Sequence, residues 1–345
     1  MDIKEAITEV VEGRNLTVDS AADVMQQIMA NEASEAQFGA FVTGLRMKGE
    51  TAEEIAGMAR SMRDVSLHVT FDGPTVDTCG TGGDGQKTFN ISTTAAFVAA
   101  GAGAIVAKHG NRAMSSSSGS ADALEALGVK IDLGPDLVRT CLEQVGIGFM
   151  FAQAFHPAMK FAGPLRPQIG IRTVFNLLGP LTNPAGADHQ VIGMGDPAAA
   201  GKVAQALHIL GTSGAFVVYS EDGMDEISPE GSSHVYVVGS GPVSERSVSA
   251  NDFGLTEHKR SYLTANTVEE SIGLICGVLE GKSSSGIEAA ARTVVVMNAA
   301  AALMAGGQAQ TLEQAAGLAA ESIDSGRALE KLESLATLSQ KLAAK

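Results

Sequence analysis

From about residue 75 onward the chain repeats one pattern: a short β-prone run, a helical stretch, then another run. The runs lie at 75–79, 104–107, 148–151, 190–194 and 215–219. Successive strands separated by helices pair in parallel, because each helix carries the chain back across a face of the sheet. The pattern therefore predicts an α/β domain with a mostly parallel central sheet covered by helices. Before this point no strand signal occurs. Ile3, Ala6, Ile7, Val10 and Val11 recur at helical spacing, and Thr51-Ala52-Glu53-Glu54 forms a capping box ahead of Ile55, Met58 and Met62. We expect residues 1–70 to form a small all-helical subdomain and residues 71–345 the α/β domain. A Pro-flanked helical segment near 164–185 is expected to pack back on the first helices and leave a cleft, the kind of place ligands prefer. Two more capping boxes, starting at Thr267 and Thr311, precede Ala- and Leu-rich helices that should cover the sheet.

Charge narrows the partners. Of 345 residues, 24 are Lys or Arg and 39 are Asp or Glu, a formal net charge of -15. Such a surface is a poor match for a nucleic-acid backbone or an anionic membrane, so small molecules are the expected ligands. Cys79, Cys141 and Cys276 are too few and too scattered for a disulfide framework or a zinc site. They fit a reducing cytoplasm, and Met1-Asp2-Ile3-Lys4-Glu5 lacks the basic start and apolar core of a signal peptide. The most apolar stretches, 93–107 and 293–306, are interrupted and shorter than the roughly 20 residues that span a bilayer; they read as buried helix and strand.

The first β-prone run leads into Gly80-Thr81-Gly82-Gly83-Asp84-Gly85. This satisfies the dinucleotide signature, but the next run ends Ala107-Lys108-His109 where that fold needs an acidic residue for the ribose. A P-loop fails at Gln86, which precedes Lys87-Thr88. A plain tight turn is the bland alternative. The continuation through Thr88, Asn90, Ser92, Thr93 and Thr94 into an Ala-rich helix sets hydroxyls and amides at a helix N-terminus, where free N–H groups and the dipole suit phosphate oxygens. Asp84 would repel bare phosphate, and fits if ribose hydroxyls or a divalent cation share the site.

The second run leads into Lys108-His109-Gly110-Asn111-Arg112, then a serine-rich stretch from Ser115 to Ser120, a concentration of charge and short donors suited to pyrophosphate. A solvated loop capping the next helix is the other reading. The fifth run leads into Asp222-Gly223-Met224-Asp225-Glu226. Carboxylates there suit magnesium, which is held by one or two protein carboxylates plus substrate phosphates; otherwise they form an exposed acidic turn. Each segment follows a strand of the same sheet, so all three should meet at its C-terminal edge.

With these segments the chain resembles, nearly end to end, the anthranilate phosphoribosyltransferase family. The signatures are Asp77-Thr78-Cys79-Gly80-Thr81-Gly82-Gly83-Asp84, Thr88-Phe89-Asn90-Ile91-Ser92-Thr93, Lys108-His109-Gly110-Asn111-Arg112, Ser118-Gly119-Ser120-Ala121-Asp122, the run from Arg172 to Pro184, and Asp225-Glu226. The resemblance implies a magnesium-dependent enzyme that joins anthranilate to phosphoribosyl pyrophosphate (PRPP). By it, PRPP is held by Gly80, Gly83, Asp84, Thr88, Asn90, Ile91, Ser92, Thr93, Lys108, His109, Gly110, Asn111, Arg112, Ala113, Met114, Ser115, Ser116 and Ser120. Anthranilate falls to Gly80, Asn111 and Arg166, with His109 and Pro180 as lining, and magnesium to Ser92, Asp225 and Glu226. Lys108, Asp225 and Glu226 are then the catalytic set. The family is typically a homodimer joined through its helical subdomain.

Two rivals share this overall fold. A pyrimidine nucleoside phosphorylase would begin the basic loop Lys-His-Ser, where this chain has Lys108-His109-Gly110. A non-catalytic nucleic-acid-binding relative would need a basic surface and tolerate loss of the acidic pair, which this chain keeps.

Overall fold

The computed structural model describes residues 1–113 and 118–344. Four helices come first: α1 (Ile3–Val11), α2 (Val18–Met29), α3 (Glu35–Lys48) and α4 (Ala52–Asp64). Side chains cap each: Asp2, Thr17, Ser34 and Thr51 accept N–H groups of the first turns. The sheet follows, with β1 (Val76–Gly80), β2 (Val106–Gly110), β3 (Ile147–Phe151), β4 (His189–Gly193), β5 (Gly214–Ser220), β6 (Ser233–Val238) and β7 (Ser244–Val248). Its strand order is β3-β2-β1-β4-β5-β6-β7, and the first five strands run parallel. β6 and β7 add an antiparallel extension that the sequence reading did not include.

Two cores flank the sheet. In β4 and β5 neighbouring residues point to opposite faces, so Val191, Phe216 and Val218 join one core while Ile192, Ala215 and Val217 join the other. The first core is filled by α5 (Ile91–Gly101) and the helix Gly286–Ala305, whose Ala-rich faces let their backbones approach closely. Gly286–Ala305 is the one helix among the described residues long and apolar enough to cross a membrane, and most of it is buried in this core. The second core holds α1 to α4, the helix Pro197–Ile209 and residues 174–181. The N-terminal helices thus reach the sheet through Pro197–Ile209, and packing is continuous across the chain's helical and α/β halves. The helical segment expected near 164–185 is broken into two short helices, Leu165–Ile169 and Phe175–Leu178, and a 3-10 turn, Gly179–Leu181; the first helix ends at Gly170, which adopts φ 72°. Its Phe175 ring meets Phe38 of α3 at 5.6 Å.

Candidate active site

Because β1, β2 and β5 are parallel, their C-terminal ends open on one side. The loop after β5 folds back over the end of β1. The Gly82 N–H donates to Asp225 Oδ2 at 3.0 Å, and the Asp225 N–H lies 3.5 Å from Asp84 Oδ2. A Cβ on Gly80 would sit 2.9 Å from that same Asp225 oxygen, so the glycine is what lets the carboxylate come this close. Glu226 reaches the start of α5, where the Ser92 N–H donates to Oε1 at 3.1 Å. The helix N-terminus expected to receive phosphate thus already faces a carboxylate.

Asn298 on the core helix Gly286–Ala305 fixes this loop. Its Oδ1 accepts the Ile227 N–H and its Nδ2 donates to the Ile227 carbonyl, both at 3.0 Å. Burial, aided by Asp84, pushes the Asp225 carboxyl up to about 7, and burial and Asp225 raise Glu226 well above the carboxylate range. Among the described residues neither makes an ion pair with Lys or Arg, and no three His, Cys, Asp or Glu side chains cluster as a complete metal cage. Two crowded carboxylates beside a helix N-terminal serine fit magnesium, which takes its other ligands from water and phosphate.

Lys108, His109 and Gly110 belong to β2 itself, paired with Phe149, Met150 and Phe151 of β3, and not to a loop beyond it. Lys108 is buried, and its Nζ donates to the Thr78 carbonyl beneath the glycine loop. Burial lowers its affinity for a proton, opposed by the charges of Asp77 and Glu226. Asp77 is buried directly under the site; it accepts the Asn183 Nδ2 at 2.8 Å and the His109 N–H at 3.2 Å. The His109 and His156 rings meet at 5.1 Å, tilted by 56°. Each bonds a backbone carbonyl, of Gly179 and Thr182, and Nε2 of each is buried without a partner among the described residues. Burial lowers them to about 3 and about 4, so both rings are neutral acceptors at pH 7.

Other expected residues divide. Gly83 carries the carbonyl that Arg172 Nη1 bonds at 3.2 Å. Thr88 forms a bridge with Thr264 of the chain's far segment. Asn90 is held by Ser118 and Ser271. Ile91 is core, with its N–H given to the Phe89 carbonyl, and Thr93 is buried with an unpartnered hydroxyl. Asn111 and Ser120 meet each other at the end of β2, while Arg112 is paired with Asp122 and Glu125. Pro180 is buried and gives its carbonyl to Gln190. Arg166, on Leu165–Ile169, lies over the Phe175 ring at 5.7 Å and makes no ion pair among the described residues. Met114, Ser115 and Ser116 lie outside the described residues. Asp77, Asn183, Ser271, Asn298, His156 and Asp122 received no role from the sequence; only Asp77, Asn183 and Asp122 stood inside recognisable signatures, and the rest are scattered single residues.

Known proteins bear on this geometry. The family description "Glycosyl transferase family, helical bundle domain" matches residues 4–66, and "Glycosyl transferase family, a/b domain" matches residues 72–329. The anthranilate phosphoribosyltransferase of a Roseiflexus species is 53% identical over 341 residues, covering 99% of both chains. That of Chloroflexus aurantiacus is 52% identical over 341 residues with the same coverage. The crystal structure of anthranilate phosphoribosyltransferase from Thermus thermophilus superposes with a TM-score of 0.91 at 39% identity, covering 97% of this chain and 99% of that one. The Saccharomyces cerevisiae enzyme in complex with PRPP and Mg superposes with a TM-score of 0.88 at 28% identity, covering 98% of each.

Proposed function

The chain belongs to the glycosyl transferase family of the anthranilate phosphoribosyltransferases, and on that premise we propose that the open end of its sheet is where PRPP and anthranilate react. The reaction moves the phosphoribosyl group of PRPP to the amine of anthranilate and releases pyrophosphate, a step of tryptophan biosynthesis. The observation that carries the site assignment is the meeting of Gly80, Gly82, Asp84, Ser92, Asp225 and Glu226 within hydrogen-bonding reach, beside buried Lys108.

Ser92, Asp225 and Glu226 would hold Mg²⁺. When bound, the ion supplies positive charge against phosphate oxygens and relieves the crowding of the two carboxylates. The glycine loop, Asn90, Thr93 and the start of α5 give PRPP backbone and hydroxyl donors. Lys108 opposes charge that develops on the departing pyrophosphate. At the anomeric carbon the C–O bond to pyrophosphate breaks, the arylamine lone pair forms the C–N bond, and the nitrogen then gives up a proton to solvent or to the leaving group. Anthranilate's amine is neutral at pH 7, so no strong base is required, in keeping with the neutrality of His109 and His156. Arg166, which meets no carboxylate among the described residues, takes that of anthranilate, and Asn111 and Gly80 complete its pocket.

We divide the protein at about residue 70, with 1–70 as the helical subdomain, and read it as a cytoplasmic homodimer. Val11 of α1 and Met47 of α3 are 68% and 84% exposed, and Val11 borders Gly44, one turn from Met47. That apolar patch on the first helices suits a second copy. The activity is tested by mixing purified protein with anthranilate, PRPP and Mg²⁺. Anthranilate should disappear as pyrophosphate is released; no loss by folded protein would overturn the reading.

A further inference from the structure

The two flanks of the stretch after β2 come together at one carboxylate. Asp122 stands in the first turn of α6 (Ser120–Ala126). Its Oδ2 accepts the Gly119 N–H at 2.9 Å and the Ala113 N–H at 2.9 Å, and its Oδ1 accepts Arg112 Nη1 at 2.9 Å. The Gly119 contact alone is half of a capping box, an ordinary way to start a helix. Ala113 is outside that motif. Its N–H comes from the opposite flank, nine residues earlier in the chain, and shares the same oxygen. The flanks also touch directly: a Cβ on Gly119 would lie 2.3 Å from the Ala113 nitrogen, so only glycine passes there.

Arg112 completes the arrangement. Its guanidinium is spent on Asp122 and on Glu125, at 2.9 Å each, and lies over the Phe151 ring at 5.7 Å. It faces back along α6 onto the protein. A guanidinium in this position braces the carboxylate that gathers the flanks. From the other side Asn90 ties the same neck to the start of α5: its Nδ2 donates to the Ser118 carbonyl at 3.1 Å and its Oδ1 accepts the Ser118 hydroxyl at 3.0 Å.

We propose that Asp122 is a positioning residue for PRPP, clamping Ala113 and Gly119 together so that Asn111 and Ser120 face the substrate, and that Arg112 acts as the strut of this clamp, not as a phosphate ligand. This rests on the site assignment above. The carboxyl is poised for the role: burial pushes its proton affinity up, but the Ala113 and Gly119 N–H groups and Arg112 outweigh that and keep it ionised.

Kinetics and amide exchange test it together. Asp122→Asn keeps the shape and removes the charge; it should raise the KM for PRPP about tenfold while kcat and the KM for anthranilate stay within about twofold. Arg112→Gln should give the same pattern more weakly, and the double variant should be no worse than Asp122→Asn, because both act through one contact. An unchanged PRPP KM in Asp122→Asn overturns the clamp. So does a double variant in which the two effects add, the result expected if Arg112 bound phosphate independently. Hydrogen exchange is independent of turnover: Asp122→Asn should lose protection at Ala113 and Gly119 together. Loss at Gly119 alone would reduce Asp122 to a helix cap and sink the proposal. If the wild type itself failed to consume PRPP, the site assignment would fall while the exchange result still decided the clamp.

Discussion

Asp77 is buried within β1, and the pair Asp225 and Glu226 is half-buried beyond the C-terminal ends of the strands; the surroundings of these carboxylates differ. Asp77 is closed by the chain: Asn183 Nδ2 and the His109 N–H donate to it, and Asn183 is itself held by the Ala107 carbonyl and the Ala185 N–H. Burial raises the Asp77 carboxyl above its usual range, and Lys108, Asn183 and the His109 N–H offset part of that rise. Asp225 and Glu226 each accept one backbone N–H, face Asp84 and each other, and are driven toward protonation. One arrangement holds strands and a turn in place. The other stores repulsion that a cation would relieve. The difference separates residues that build the site from residues that act in it, although both kinds are carboxylates.

The sharpest way to break the comparison is to remove Asp77. Asp77→Ala leaves the His109 N–H and one of the two Asn183 Nδ2 hydrogens without an acceptor, and Lys108 without its neighbouring charge. Loss of one partner in a buried charged network costs about 3–5 kcal/mol, so chemical denaturation should show a large drop in stability. Stability within error of the wild type would put Asp77 in the same class as the pair above it. The double variant Asp225→Asn/Glu226→Gln should do the reverse. We expect kcat/KM to fall roughly 10²- to 10³-fold, about 3–4 kcal/mol of transition-state stabilisation, with melting temperature unchanged or raised. Mg²⁺ with pyrophosphate should raise the melting temperature of the wild type and leave that of the variant unmoved. A variant that lost stability in step with activity would dissolve the distinction.

Arg166 extends the comparison to cations, because among the described residues Arg112 is paired with carboxylates and Arg166 is not. Arg166→Ala should raise the KM for anthranilate about 10- to 100-fold, with little change in the KM for PRPP, since a charge-assisted bond to a carboxylate is worth roughly 1.5–3 kcal/mol. Arg166→Lys should recover only part of the loss. An unaltered anthranilate KM in steady-state assays would count against its role.

The same division explains what the sequence reveals. Of the five parallel strands, β3 and β5 announce themselves most clearly because they are largely buried and read as apolar runs, such as Phe216-Val217-Val218. β7 gives no such signal: Ser244, Glu245, Arg246 and Ser247 are exposed, and only Val248 is buried. Lys108 reads as a loop residue because Lys is seldom fully buried, and its place in β2 depends on Asp77, 31 residues away in the chain. Acting residues cluster in short glycine, hydroxyl and carboxylate signatures, which are legible. Residues that hold them, such as Asn298 beneath Ile227 or Ser271 beside Asn90, are single polar residues in helices, and nothing local distinguishes them from a solvated face.

His109 and His156 stand between the two cases, each with one nitrogen bonded by the chain and one left over. Unfolded, both titrate near pH 6.5. Folded, burial lowers them to about 3 and about 4. Between these limits the unfolded chain binds more protons than the folded one, so stability is fully present above about pH 6.5 and is lost as pH falls toward 4. The slope should approach about 1.4 kcal/mol per pH unit for each ring. His156→Gln, which cannot ionise, should remove about half of this dependence in denaturation curves taken from pH 7 to 4.5. An identical slope in the variant would mean that His156 is not held neutral, and that at least one of the two rings pairs with a charge as Asp77 does.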